Sequence, residues 1–280
     1  MQLNLKKFDI STISNDSVVV FIGKRRTGKS FLVKDLLYYH QDLPLGTIIS
    51  GTESANRFYG NIVPSMFIHD DYDPQIIENV FKRQKMIRKK LDKEEEIKGK
   101  GNSNIDPRAF LILDDLMFDD TWIRDKNVRR LFFNGRHYFL TFLITMQYPL
   151  GIPPNLRTNV DYAFILRENN IQNRKKIYDN YAGMFPNFDM FCTCMDQCTE
   201  NYECLVIKIN ASSNKLNDQV FWYKANSHEP FRLCTKNFWE AQAEQDKINR
   251  QKDDADEQED FFDPSSMKKK GPRLHVHKKS

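Results

Sequence analysis

Near the amino end of the chain, eight residues have the P-loop spacing G-x-x-x-x-G-K-S. They are Gly23, Lys24, Arg25, Arg26, Thr27, Gly28, Lys29 and Ser30. In such a loop, successive backbone N–H groups surround the β-phosphate of a nucleoside triphosphate. Lys29 would neutralise oxygens of the β- and γ-phosphates, and the Ser30 hydroxyl would ligate Mg²⁺. We therefore expect ATP and Mg²⁺ to bind at this loop.

Two adjacent carboxylates, Asp114 and Asp115, follow the apolar run 110–113. This is the pattern of a Walker B element, in which a buried strand delivers an acid to the phosphates. Asp114 is predicted to hold Mg²⁺. Asp115 is predicted to orient and polarise the attacking water, since a general base must lie within hydrogen-bond reach of it.

Gln147 stands two residues beyond another apolar run, 139–145. If this run forms a strand between the P-loop strand and the Walker B strand, Gln147 would contact both the attacking water and the γ-phosphate. It would then report hydrolysis to the rest of the molecule.

Multimeric ATPases commonly use an arginine, often from a neighbouring subunit, to stabilise charge on the transferring phosphoryl group. The sequence contains several candidates and does not distinguish among them, because an arginine at any of these positions could instead lie on the surface or cap a helix. They are Arg136, Arg157 and Arg174, with Arg25 and Arg26 in the loop itself.

The elements around these residues alternate between strand and helix. A β-branched run at 17–22 and an apolar helical pattern at 29–40 flank the P-loop. Alternation of this kind predicts an α/β fold with a mostly parallel sheet sandwiched by helices. Further strands are predicted at 47–50, 65–69, 109–113, 139–145 and 161–166, with a late hairpin at 204–209 and 219–223.

Length and composition predict one ATPase domain over 1–250 and a disordered tail over 251–280, acidic and then basic. The chain has 280 residues, 40% of them hydrophobic and 29% charged. The tail has almost no apolar surface to offset the entropy of ordering. No apolar run approaches the ~20 residues of a membrane helix, and no apolar segment follows the amino-terminal lysines as in a secretory signal.

Net charge is only +4, so a nucleic-acid partner must be argued from how the charge is distributed. A helix predicted to start after Asp73 becomes very basic, with nine Lys or Arg against four acids over 82–100. The segment 82–106 is predicted to be this basic helix followed by a mobile loop. It is either a solvated face or an arm that contacts DNA phosphates.

Four of the five cysteines lie close together in the sequence, at Cys192, Cys194, Cys198 and Cys204. The odd total fits a reducing compartment. The spacing lacks the two short pairs of a usual zinc knuckle. Buried thiols are therefore favoured, and a zinc site stays open.

The order of these motifs resembles that of the FtsK-HerA superfamily of DNA-pumping ATPases. More narrowly, the chain resembles the genome-packaging ATPases of large nucleocytoplasmic DNA viruses. The narrower resemblance rests on Gly135-Arg136-His137, on the segment 154–161 and on the run 204–207, and similarity extends over about 15–225. One departure is Asp115, where many cellular relatives have Glu.

This resemblance implies a RecA-like core, a homo-oligomeric ring around double-stranded DNA, and ATP-driven loading of a genome into a preformed capsid. It implies Lys29 and Ser30 as ligands of nucleotide and magnesium, Asp114 as the metal carboxylate, Asp115 as the catalytic acid position and Gln147 as the sensor. Arg174 falls near the arginine that many relatives supply across the subunit interface. Capsid or portal components would be partners, and the site of action would be the host cytoplasm (the virus factory) and the virion.

Other functions remain alternatives at this point. One is a P-loop phosphotransferase, which would transfer the γ-phosphate to a small-molecule hydroxyl. Another is a DNA-dependent ATPase that does not package a genome. The Asp114-Asp115 pair and Gln147 favour activation of water. A GTPase is disfavoured because Asn214-Lys215-Leu216-Asn217, the nearest match to a guanine-binding motif, ends in Asn.

Overall fold

A computed structural model describes residues 4–116 and 121–259 of the chain. Its centre is a nine-stranded sheet in the order β1-β9-β8-β7-β2-β6-β5-β3-β4. The strands are β1 (Lys6–Lys7), β2 (Val18–Ile22), β3 (Gly46–Ser50), β4 (Ile68–His69), β5 (Ala109–Asp114), β6 (Leu140–Met146), β7 (Tyr162–Ile165), β8 (Glu203–Lys208) and β9 (Val220–Lys224).

Most neighbouring strands are parallel, and the hairpin strands are antiparallel. The pairs β2–β6, β2–β7, β3–β4, β3–β5, β5–β6 and β1–β9 are parallel. The pairs β7–β8 and β8–β9 are antiparallel. The predicted α/β class, the mostly parallel sheet and the late hairpin are therefore confirmed.

Helices cover both faces of the sheet. They are α1 (Lys29–Tyr38), α2 (Glu53–Asn56), α3 (Pro74–Lys98), α4 (Thr121–Arg124), α5 (Lys126–Asn134), α6 (Pro154–Arg157), α7 (Ile171–Tyr181), α8 (Phe188–Cys198), α9 (Leu216–Gln219) and α10 (Lys236–Glu259). In the described part of the chain, no helix has the length and apolar character to cross a membrane.

Alternate residues of β2 enter two separate cores, as the period of a strand requires. Val19 and Phe21 pack on the face covered by α1. Val18, Val20 and Ile22 pack on the opposite face with residues of α3, α5, α7 and α8. Because β2 is buried on both faces, its uninterrupted apolar sequence is that of a central parallel strand.

The parallel strands bring their carboxyl ends to one edge of the sheet, here called the carboxyl edge. The opposite edge, where these strands begin, is called the amino edge. Because β8 runs antiparallel to β7, the start of β8 and the end of β9 also lie at the carboxyl edge. Loops at the carboxyl edge of an open α/β sheet usually hold the ligand.

Several boundaries differ from those predicted. The segment 65–69 forms a 3-10 turn, Ser65–Phe67, before the two-residue β4. The strand predicted to begin at Phe139 begins at Leu140, because Phe139 has a φ of 55°. The helix α10 continues to Glu259, past the predicted start of the tail, and the rest of that tail lies outside the described residues.

The long helix α3 begins where Asp73 caps it, through a hydrogen bond from the Gln75 N–H of 2.8 Å. It crosses the amino edge near Gln84, whose side-chain amide donates to the carbonyls of Pro107 and Tyr138. Beyond this point most of its side chains are exposed, and the helix ends at Lys98. The basic segment is therefore helical and projects away from the carboxyl edge.

Candidate functional site

The strands that carry the three motifs are neighbours, in the order β2-β6-β5. The strand β6 lies between the P-loop strand and the strand that carries the two acids, as the interpretation of Gln147 required. With strand β3 on the far side of β5, four strand ends meet at one part of the carboxyl edge.

The P-loop connects β2 directly to α1. Gly28 takes a φ of 103° at the N-cap of α1, a conformation that L side chains rarely adopt. The Lys29 ammonium donates to the carbonyls of Gly23 at 2.7 Å and Lys24 at 3.0 Å. The lysine therefore lies folded over its own loop, at the place where phosphate oxygens would be bound.

Thr145 joins the two acids. Its hydroxyl donates to Asp114 Oδ1 at 2.5 Å and accepts the backbone N–H of Asp115 at 3.0 Å. On the other side, the Ser50 hydroxyl lies 3.4 Å from Asp114 Oδ2. Asp114 is buried, and these contacts hold its carboxylate in a fixed orientation between β3 and β6.

Gln147 contacts Asp115 directly. Its side-chain nitrogen donates to Oδ1 at 2.5 Å and to Oδ2 at 2.8 Å. Asp115 has a φ of 54°, in the left-handed region that Asp and Asn enter more readily than other side chains do. The structure therefore brings the predicted sensor and the predicted general base into contact.

Burial changes the acid–base properties of the site. Burial lowers the pKa of the Lys29 ammonium, and the nearby Asp115 and Asp114 oppose that shift. Burial also raises the pKa of the Asp114 carboxyl, against the hydrogen bond from Thr145 and the charge of Lys29. A lysine and two carboxylates thus share a poorly hydrated site, where a phosphate and a divalent cation would complete the charge balance.

The donor set at this edge fits a magnesium ion. In the described part of the chain, the Asp114 and Asp115 carboxylates accept hydrogen bonds from hydroxyl and amide groups but form no ion pair with Lys or Arg. Mg²⁺ prefers oxygen ligands and is usually held by one or two carboxylates together with substrate phosphates. Ser30 and Asp114 are the residues that would hold it.

The three candidate arginines outside the loop lie in different places. Arg174 is in the first turn of α7, at the carboxyl edge. Its guanidinium donates to the Glu168 carbonyl at 2.6 Å and to Asp196 Oδ1 at 2.7 Å. Arg136 lies at the amino edge, bound to Asp161 at 2.9 Å. Arg157 packs over the Tyr181 ring, 5.8 Å from its centroid.

Whereas Arg136 lies at the amino edge, Arg174 lies at the edge that carries the P-loop. A second contact ties its surroundings to that loop, since Lys24 pairs with Glu168 at 2.6 Å. Arg25 and Arg26 lie in the loop itself, and Arg26 has a φ of 62°. Whether any of these arginines acts across a subunit interface stays a prediction.

The clustered cysteines are free thiols. Cys194 and Cys204 are buried, and Cys192 and Cys198 are half-buried. No group of three or more His, Cys, Asp or Glu side chains within 4–116 and 121–259 is arranged to hold a metal ion. Cys194 and Cys204 pack within the two cores, and Cys192 and Cys198 pack against one of them.

Sequence reasoning missed three contributors to the site: Ser50, Tyr59 and the hydroxyl of Thr145. Ser50 stands opposite Asp114 in the register of β3 and β5, a signal that needs the strand order. The Tyr59 ring is fully buried near Asp114, in an irregular segment without periodicity. Its neighbour Glu53 accepts the N–H groups of Tyr59 and Gly60 and so fixes this segment against β3.

Sequence comparison identifies relatives in large DNA viruses. The uncharacterized protein L437 of Acanthamoeba polyphaga mimivirus is 39% identical over 229 residues, which are 81% of this chain and 79% of L437. The uncharacterized protein 075L of Invertebrate iridescent virus 6 is 39% identical over 224 residues, 79% of this chain and 82% of 075L. No protein-family model matches the sequence.

Comparison with solved structures supports the fold. The genome packaging NTPase B204 of Sulfolobus turreted icosahedral virus 2, in complex with AMPPCP, superposes with a TM-score of 0.50. The match has 14% sequence identity and covers 76% of this chain and 100% of B204. At this identity the likeness establishes a shared architecture, that of a P-loop NTPase.

Proposed function

The chain belongs to the family of large-DNA-virus proteins that includes L437 of mimivirus and 075L of Invertebrate iridescent virus 6, and on that premise we propose that it is an ATP-driven translocase of double-stranded DNA. Its biological task would be to package a viral genome into a preformed capsid. The observation that carries the proposal is the chain of contacts from Gln147 through Asp115 and Thr145 to Asp114, beside the P-loop.

In this proposal ATP lies along the P-loop, with its γ-phosphate toward the ends of β5 and β6. Lys29 binds the β- and γ-phosphates after leaving the carbonyls of its own loop. Asp115 orients a water molecule for attack on the γ-phosphorus and accepts its proton, while the bond from that phosphorus to the β,γ-bridging oxygen breaks and ADP leaves. Magnesium, held by Ser30 and Asp114, would supply charge neutralisation on the phosphate oxygens.

Gln147 would couple hydrolysis to motion. It already contacts the Asp115 carboxylate and directly follows β6, whose chain continues toward α6. When Asp115 binds water or phosphate in place of the Gln147 amide, Gln147 must change its hydrogen-bond partners. The conformation of the segment after β6 would change with it. Such a contact is what a motor needs in order to sense the γ-phosphate.

In this proposal identical subunits form a ring around the DNA. Arg174, at the carboxyl edge, is the arginine we favour for completing a neighbour's site, and Arg157 and Arg136 are less favoured. The exposed lysines of α3 at Lys82, Lys85, Lys89 and Lys93 are spaced to share one helix face and suit contacts with DNA phosphates. A capsid or portal component would anchor the ring, in the host cytoplasm or the virion.

The test is ATP hydrolysis at several protein concentrations, with and without long double-stranded DNA. The proposal predicts that DNA stimulates hydrolysis and that specific activity rises cooperatively with protein concentration as rings assemble. Turnover indifferent to DNA and linear in protein would exclude a translocase and leave a phosphotransferase or another ATPase. Nuclease protection of DNA by added empty capsids then separates packaging from other DNA-dependent activity.

The hydroxyl of Thr145 is predicted to position both acids. Thr145→Val keeps the shape of the side chain but removes a donor to Asp114 and the acceptor for the Asp115 N–H. We expect kcat for ATP hydrolysis to fall by roughly 10- to 100-fold, the usual loss when a residue that orients a metal-binding carboxylate is removed. The change in KM should be small, because the P-loop is untouched.

A matched control exists on the same strand. Thr141 is equally buried, and its hydroxyl donates to the Asn15 carbonyl at 2.6 Å near the amino edge. Thr141→Val and Thr145→Val should each lower the free energy of unfolding by about 1–2 kcal/mol, measured by urea denaturation. Equal losses of kcat in the two variants would mean that Thr145 has a structural role alone.

A further inference from the structure

A cavity of about 550 Å³ opens beside the first turn of α1. Arg26 and Gly28 of the P-loop form one side of it. Phe31 and Leu32 of α1, Tyr202 and the segment 224–227 form the rest. This volume lies within the range of about 300–1,000 Å³ that is typical of small-molecule sites. The cavity and the P-loop thus share a wall.

The position of the cavity is set by the strand order. Asp114, Asp115 and Gln147 follow β5 and β6, on one side of the P-loop strand β2. The cavity lies on the other side, where β8 begins and β9 ends. A triphosphate whose γ-phosphate faces the acids must extend its α-phosphate and nucleoside away from them, toward the cavity.

Two aromatic side chains at this cavity are unusually exposed. Tyr202 is 69% exposed and Phe31 is 65% exposed. The Tyr202 ring reaches the P-loop, since a Cβ placed on Gly28 would lie 3.6 Å from its Cδ1. Two exposed aromatic rings beside a phosphate-binding loop offer flat apolar surface to a ligand. Contact of that surface with water is unfavourable, so a ligand that covers it is stabilised.

The turn that carries Tyr202 has a strained backbone. Asn201 and Tyr202 have φ values of 51° and 64°, consecutive left-handed residues without a glycine. The turn is closed by the Glu203 N–H, which donates to the Glu200 carbonyl at 2.8 Å. Strain of this kind persists where surrounding structure imposes it, and it is concentrated at ligand sites.

The opposite wall is attached to the P-loop helix through Asp35, a buried residue of α1. Asp35 accepts the Tyr223 hydroxyl at 2.6 Å and the Asn226 N–H at 3.1 Å. It also contacts His228 Nε2 at 2.5 Å. The segment 224–227 is therefore held in a fixed position relative to the P-loop before any ligand arrives.

We propose that this cavity receives the purine base of the nucleotide and that the Tyr202 ring stacks on the face of the base. The inference rests on the proposed nucleotide site, which it extends from the phosphates to the base. Stacking on aromatic side chains is a general way to bind bases, because each base presents a π face. Tyr202 is thus a binding residue and takes no part in the attack on the γ-phosphate.

The test compares two ligands by calorimetry, the non-hydrolysable AMP-PNP and inorganic tripolyphosphate, each with Mg²⁺. In wild type, AMP-PNP should bind more tightly than tripolyphosphate. Tyr202→Asn, which tolerates the left-handed backbone, should weaken AMP-PNP binding roughly 10-fold or more and leave tripolyphosphate binding unchanged. Tyr202→Phe, which keeps the ring, should bind both ligands as wild type does.

Each other outcome overturns a defined part of the argument. If Tyr202→Asn binds AMP-PNP as wild type does, the base lies elsewhere. If the substitution weakens binding of both ligands equally, Tyr202 supports the P-loop and does not contact the base. If wild type binds tripolyphosphate as tightly as AMP-PNP, the cavity proposal is wrong but the proposed phosphate site stands. If wild type binds neither ligand, the proposed nucleotide site is itself wrong.

Discussion

Replacing Asp115 with Asn is expected to lower ATP hydrolysis on the order of 10²- to 10³-fold, the scale lost when a general base is removed. An amide cannot accept the proton of the attacking water, although it can still accept a hydrogen bond from Gln147. Nucleotide affinity should stay within about twofold of wild type, because in the proposed site Lys29 and the P-loop backbone would make most of the phosphate contacts. Steady-state hydrolysis and AMP-PNP titration on the same preparation measure both quantities.

Asn is the suitable replacement because of the backbone at this position. Asp115 has a φ of 54°, which Asn tolerates about as well as Asp. The hydrogen bond from its N–H to Thr145 is independent of the side chain and should persist. Unfolding midpoints of the two proteins should therefore agree. Hydrolysis within about threefold of wild type would assign the general base to another residue.

The same conformation gives a physical reason for aspartate rather than glutamate at this position. Left-handed backbone is more accessible to Asp than to Glu, because the short carboxylate can interact with the local backbone. The turn after β5 sharply redirects the chain at Asp115, which leaves the carboxylate against Gln147. A longer side chain on this backbone would reach beyond the amide that now contacts it.

The parts of the site that the sequence predicts are those encoded within a few residues. The P-loop spacing lies between a β-branched strand and an amphipathic helix, and Asp114 directly ends an apolar run. These signals are local, so β2, α1 and β5 are found where the patterns place them. The packing of β6 between β2 and β5 depends on contacts that are distant in sequence. The sequence alone therefore gives it only as an assumption, which the predicted role of Gln147 requires.

The parts that escape prediction depend on contacts distant in sequence or on unusual backbone. Thr145 and Ser50 become site residues only once β6 and β3 are known to flank β5. The turn at Tyr202 uses left-handed residues that are not glycine, so no glycine marks it. The edge strand β1 has just two lysines, which carry no apolar alternation. Local propensity does not encode any of these features.

Gly46→Ala is expected to destabilise the protein by at least about 3 kcal/mol, the upper end of what overpacking costs. In the register of the sheet, Gly46 of β3 stands opposite Phe110 of β5. A Cβ on Gly46 would lie 1.9 Å from Cζ and 2.1 Å from Cε2 of that ring. Phe110 is fully buried, so the ring cannot swing into solvent to relieve the clash.

The expected loss of stability in Gly46→Ala is opposite in sign to the effect of backbone propensity. Ala in place of Gly inside a strand should by itself stabilise by roughly 0.5–1 kcal/mol. For a domain of this size, a loss of about 3 kcal/mol lowers Tm by roughly 6–12 °C, at 2–4 °C for each kcal/mol. Gly183→Ala is the control, because a Cβ at Gly183 meets no atom within 4 Å. Its Tm should not fall.

A second substitution tests the cause. Phe110→Leu alone should destabilise, since it shortens a buried side chain, yet it removes the ring atoms that the new Cβ would meet. The double variant, Gly46→Ala with Phe110→Leu, should therefore be more stable than Gly46→Ala alone, with a coupling energy above about 1 kcal/mol. Additive losses would refute the clash as the cause. Because Phe110 lies in β5, the strand that ends in Asp114, the rescued variant should also recover ATP hydrolysis.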